Sequence, residues 1–143
     1  MLSELLPLIK NEDIVEIKKD LLKLHEKEVY SQKIYFEQIR KLDGLIVEIL
    51  KELLEQEEKH ALLLKKLLDK ISIPTKEYSM KLEIKNDLKK SISFDIELEK
   101  QATKEYQTAI NNSSSESMKK FLEHIMEEEF NHIKRLEDFL KEN

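Results

Sequence analysis

Seven residues spaced alternately four and three apart, Ile46, Leu50, Leu53, Glu57, His60, Leu64 and Leu67, recur 72 positions later as Met118, Leu122, Ile125, Glu129, His132, Leu136 and Phe139. Such spacing puts each set on one face of an α-helix. A second pair of stretches matches at an offset of 71: Ile17, Leu21, Leu24, Glu28, Ser31, Tyr35 and Gln38 against Leu88, Ile92, Asp95, Glu99, Ala102, Tyr106 and Ala109. The chain therefore reads as two copies of one helical hairpin. Composition agrees, since Ala, Glu, Lys, Leu and Arg supply 74 of the 143 residues beside one Gly and two Pro. Strand-rich and Rossmann-type folds, which need glycine turns, are disfavoured on the same count.

The helices are predicted at about residues 12–42, 44–71, 87–110 and 114–141, within a single domain spanning 1–143. Asp43 is the expected N-cap of the second helix, followed by Gly44. After Ser72 the helical pattern lapses: Pro74 breaks it, and Tyr78, Met80, Leu82 and Ile84 alternate with period two. Asn86 or Asp87 can cap the third helix, and Ser113 with Glu116 has capping-box spacing for the fourth. A helix of ~28 residues is ~42 Å long, and ~13 extended residues reach about as far. The expected fold is all-α: a four-helix bundle of two antiparallel hairpins with a long crossover between helices 2 and 3.

Acid and base are interspersed around a net charge of −5, so no basic face invites nucleic acid. No cysteine is present, which removes disulfides, thiolate catalysis and cysteine-ligated metal. Residues 1–12 lack the apolar run of a signal peptide or membrane span. A cytoplasmic protein with no membrane partner is expected.

Glu28, Glu57, Glu99 and Glu129 with His60 and His132 occupy seam positions that packing alone would fill with Leu or Ile. An ionised carboxylate in a bundle core costs several kcal/mol unless it is paired or binds a metal. None of the 23 lysines lies on the seams, so two divalent ions are the natural neutralising charge. Glu-x-x-His alone is weak in so glutamate-rich a chain. Its weight comes from the shared register, the common offset and the parallel repeat of Glu28 with Tyr35 and Glu99 with Tyr106. Asp95 is a fifth seam acid, but its counterpart is Leu24, so the repeat does not mark it as a ligand. His25 reads as a half-buried structural histidine and His124 as a surface one. Glu127 and Glu128 read as solvated, or as supports beside the ligands.

One Glu from each of two helices with Glu-x-x-His from each of the other two resembles the ferritin-like di-iron carboxylate superfamily, nearest its rubrerythrin and bacterioferritin branches, over residues 12–142. The resemblance implies two Fe ions, with Mn possible, bridged by Glu57 and Glu129. One ion would be completed by Glu28 and His60, the other by Glu99 and His132. It implies that Tyr35 and Tyr106 hydrogen-bond ligand carboxylates. It further implies reaction of Fe(II) with O2 or hydrogen peroxide, as an oxidoreductase of peroxidase or ferroxidase type in oxidative stress or iron handling.

The chain departs from these relatives in lacking a cysteine-ligated rubredoxin domain, so a separate electron donor protein is expected. No extra Glu stands three residues from Glu99, where Ile96 and Ala102 lie, which favours a six-ligand site. With no fifth helix after Asn143 and no methionine marked as a haem ligand, a homodimer is expected rather than a storage shell. The alternative from another class is a helical interaction module, metal-free or structurally metallated.

Overall fold

A computed structural model describes residues 2–75 and 87–143. Among them there is no strand. The helices are α1 (Leu2–Leu5), α2 (Asn11–Glu16), α3 (Lys18–Lys41), α4 (Leu45–Lys70), α5 (Leu88–Asn112) and α6 (Glu116–Glu142), with a 3-10 turn at Leu6–Leu8. The period-two run of Tyr78, Met80, Leu82 and Ile84 and the candidate cap Asn86 lie outside the described residues.

The four long helices pack as two hairpins, α3 on α4 and α5 on α6. Cross-links such as Lys27 to Gln101, Gln38 to Asp95 and Asn112 to Asp20 show that α3 and α5 run antiparallel. Glu52 to Arg135 and His60 to Glu128 show the same for α4 and α6. It follows that α4 and α5 are parallel. Lys70, closing α4, donates to the Leu6 carbonyl at one end of the bundle, while Leu88, opening α5, packs against the apolar cluster that includes Ile46 and Leu50 towards the other. The connection between them therefore starts and finishes at opposite ends of the bundle, as a crossover requires.

Alternating spacings of three and four on every long helix fill two apolar layers. One holds Ile14, Leu21, Leu24, Leu64, Leu67, Phe121, Leu122 and Ile125; the other holds Ile34, Ile46, Leu50, Leu53, Ile92 and Leu136. Each such fully buried side chain stabilises the fold by roughly 2 kcal/mol. A layer of buried Glu and His lies between them.

Several local details differ from the sequence expectation. The first helix is not continuous over 12–42: it breaks at Ile17 (φ −122°, ψ 27°). The β-branched residues Ile14, Val15 and Ile17 are weak helix formers. Glu16 is meanwhile drawn to the α5–α6 turn, where it accepts from the backbone and hydroxyl of Ser114 at 2.7 Å each. Residues before 12 are also structured. Leu2 and Ile9 are buried and close that end of the core, with α1 resting on α6.

The N-cap of α4 is Gly44 rather than Asp43, and no side chain caps it. Its φ of +90° is the reason for glycine there. α4 ends where Ser72 turns left-handed (φ 58°) and Ile73 N–H donates back to the Leu68 carbonyl at 3.0 Å. Asp87 caps α5 through Lys90 N–H at 3.0 Å. α5 extends to Asn112, two residues further than expected, and α6 is capped by Ser115, not Ser113. Ser113 instead ends α5, and its hydroxyl accepts from Ser115 N–H.

Candidate metal centre

Each long helix contributes to one layer at mid-bundle: α3 supplies Glu28, α4 Glu57 and His60, α5 Glu99, and α6 Glu129 and His132. All six are at most 1% exposed. The three-residue step from Glu to His turns both donors toward the same interior. Among the described residues two groups could hold a cation, Glu28, Glu57, His60 and Glu129 in one, and Glu57, Glu99, Glu129 and His132 in the other. Glu57 and Glu129 belong to both, and within each group the donor atoms lie within 4.8 Å of one another.

His60 Nδ1 lies 2.9 Å from Glu129 and 3.6 Å from Glu28. His132 Nδ1 lies 3.0 Å from Glu57 and 3.6 Å from Glu99. The two imidazoles stack with centroids 6.3 Å apart. The Nδ1 atoms thus face the carboxylates, and the Nε2 atoms face outward to fixed partners: Glu128 at 2.6 Å for His60, and Gln56 for His132.

Tyr35 donates to Glu99 and Tyr106 to Glu28, each at 2.5 Å. Each tyrosine therefore serves the glutamate of the other hairpin, not the one seven residues before it on its own helix. Both phenols are pushed well above their usual range by burial first and by the neighbouring carboxylates second, so they stay neutral donors. Ser31 and Ala102 are buried where small side chains let α3 and α5 approach beside this layer.

The layer is electrostatically costly. Burial first, and then repulsion among the other carboxylates, raises Glu57 and Glu129 well above the ordinary carboxylate range. Burial pushes Glu28 up as well, but the adjacent Glu57 and His60, helped by the Tyr106 hydroxyl, outweigh it and hold Glu28 low. Burial opposes protonation of His60, yet Glu128, Glu129 and Glu28 raise it to about 12.

Even so, Glu28 Oε2, Glu57 Oε1, Glu99 Oε2, both Glu129 oxygens and both Nδ1 atoms are buried with no aligned hydrogen-bond partner. In a bundle core such atoms are expected to be satisfied. Their convergence, and the chemistry of four carboxylates with two imidazoles, fit a pair of divalent cations of the Fe or Mn type.

Asp95 is buried outside both groups and accepts from Gln38 at 2.8 Å. Burial raises its carboxyl well above the usual range. His25 is more deeply buried than half, at 7% exposure, and desolvation lowers it. His124 is about one-third exposed and approaches Glu128 at 3.5 Å. Glu127 is exposed, whereas Glu128 points inward. Gln56 escaped the sequence reading, although it stands 72 positions before Glu128 and one before Glu57, so the repeat carried the signal.

No helix among the described residues is long and apolar enough to cross a membrane. The fold is similar to that of a crystal structure described as ferritin like, diiron-carboxylate proteins from Bacillus anthracis str. Ames, with a TM-score of 0.79 at 17% identity, over 90% of this chain and 97% of that one. No curated protein matches the chain. Residues 21–140, which take in nearly all of the four long helices and every residue of the Glu/His layer, match the Rubrerythrin family, and the chain belongs to that family.

Proposed function

We propose that this chain is a rubrerythrin-like di-iron carboxylate protein that reacts Fe(II) with hydrogen peroxide or O2. The observation that carries the reading is the sharing of Glu57 and Glu129 between two buried donor groups, each completed by its own Glu and His. In this reading Glu57 and Glu129 would be shared by both ions, Glu28 and His60 would complete the hold on one, and Glu99 and His132 on the other. A bound metal pair supplies reversible redox change and a Lewis-acidic clamp on an oxidant.

The protein's own part is positional and protonic. The apolar layers on both sides keep bulk water out and lower the local dielectric, which strengthens charge interactions within the layer. Glu57, Glu129 and His60 must give up their protons for the donor atoms to become available, so metal uptake releases protons and weakens as pH falls. Tyr106 and Tyr35 fix the orientation of Glu28 and Glu99 and leave one oxygen of each free.

In the same proposal, electrons returning the pair to the ferrous state would come from a separate donor protein. A cytoplasmic homodimer is part of the same proposal. Stopped-flow absorbance of anaerobically Fe(II)-loaded protein mixed with H2O2 or with O2 tests it. A fast change with either oxidant, consuming both ferrous ions, is expected. An interaction module, metal-free or with metal in a purely structural role, would give no such change, and that result would overturn the proposal.

A further inference from the structure

The two histidines are equivalent within the repeat but not in what holds them. Glu128 and Gln56 occupy corresponding positions, each one residue before a shared glutamate, and each reaches across the bundle to the Nε2 atom of the other hairpin's histidine. The partner of His60 is a carboxylate, whose other oxygen His124 approaches at 3.5 Å. His132 has a neutral amide. Position 52, which corresponds to 124, carries a glutamate that turns away from Gln56 to pair with Arg135 at 2.5 Å.

We infer that this single acid-for-amide difference makes the two cation positions unequal, so that the position completed by Glu28 and His60 fills first and more tightly than that completed by Glu99 and His132. The reason is electronic. A carboxylate accepting from Nε2–H draws the proton outward and makes Nδ1 a stronger donor to a cation, whereas an amide oxygen fixes the ring with about half the hydrogen-bond strength. The carboxylate also brings the negative charge closer to one ion than to the other. Outer partners of this kind change metal affinity by about 10–100-fold, so an occupancy ratio of about tenfold or more is expected when metal is limiting. The inference rests on the dimetal reading of the layer.

Stepwise binding alone cannot test this, because two divalent ions repel each other and separate the steps even in equal sites. Position is the informative readout. Crystals of the full chain carrying one equivalent of Co(II) are measured at the cobalt absorption edge. The natural chain should show the dominant anomalous peak beside His60. The exchanged double variant, Gln56→Glu with Glu128→Gln, should show it beside His132. These substitutions are nearly isosteric and keep a hydrogen-bonding group at each site. Should a crystal of the exchanged variant be lacking, Glu128→Gln alone should bring the two peaks towards equal height. Equal peaks in the natural chain, or a dominant peak that stays beside His60 after the exchange, would overturn the inference while leaving the dimetal reading intact. Absence of any peak in the layer would overturn both.

Discussion

The two hairpins share one seam and differ most at their polar exceptions. At one end of the bundle Leu24 and Ala109 are apolar and fully buried, while the corresponding positions at the other end, Asp95 and Gln38, form a buried hydrogen-bonded pair. In the Glu/His layer between them the inward contacts repeat, while the outward partners of the two histidines, Glu128 and Gln56, differ. Tyr35 to Glu99 mirrors Tyr106 to Glu28, and His60 to Glu129 mirrors His132 to Glu57. Repetition is therefore strict where donor atoms converge and relaxed one turn away, as expected if the layer rather than the packing around it constrains the sequence.

The largest expected effects probe the two ends. Leu24→Ala should cost about 2–5 kcal/mol by opening a cavity. Gln38→Ala should cost about 1–3 kcal/mol by leaving the buried Asp95 without its donor. Combining Gln38→Ala with Asp95→Leu recreates the apolar pair of the opposite end, and it should recover or exceed the stability of the natural chain, since buried polar pairs are often replaceable by hydrophobic ones. Denaturant unfolding measures all three. A double variant less stable than Gln38→Ala alone would show that the two ends are not interchangeable.

A smaller effect probes the shared layer through pH. Glu57 and Glu129 are raised above 4.5 in the folded chain, so their contribution is complete below that value and is lost as pH rises through the folded one. His60, raised from 6.5 to about 12, acts in the same direction at higher pH. Glu28 is lowered and acts oppositely, losing stability as pH falls. In the metal-free protein the raised groups prevail, and Tm should decline between roughly pH 5 and pH 8. Glu57→Gln and Glu129→Gln should each flatten that decline to a similar degree. A large difference between them would break the equivalence of the two shared glutamates.

The parts legible in the sequence were those carried by period and repetition. Six interior Glu and His residues stood out because a 3.6-residue period assigns a face, and the 72-residue offset distinguished Glu57 from the many glutamates on solvated faces. The identity of a cap was less legible. Asp43 and Gly44, or Ser113 and Ser115, are near-equal candidates by residue type, and the choice depends on which backbone turns, as φ of +90° at Gly44 shows. The break at Ile17 and the buried Leu2 and Ile9 depend on long-range contacts with α6 and the α5–α6 turn, which no local pattern announces. Gln56 and Glu128 lie one position off the seam, where an isolated helix would expose them; the histidine of the neighbouring hairpin is what draws each of them inward.

The central claim is that Glu57 and Glu129 are held in common by two ions. Equilibrium dialysis against Fe(II) under anaerobic conditions, with metal counted per folded chain, tests it most directly. The natural chain should hold two iron ions, and the Glu57→Ala/Glu129→Ala variant, checked for folding by circular dichroism, should lose tight binding of both together. A folded double variant that still holds two ions would contradict the account.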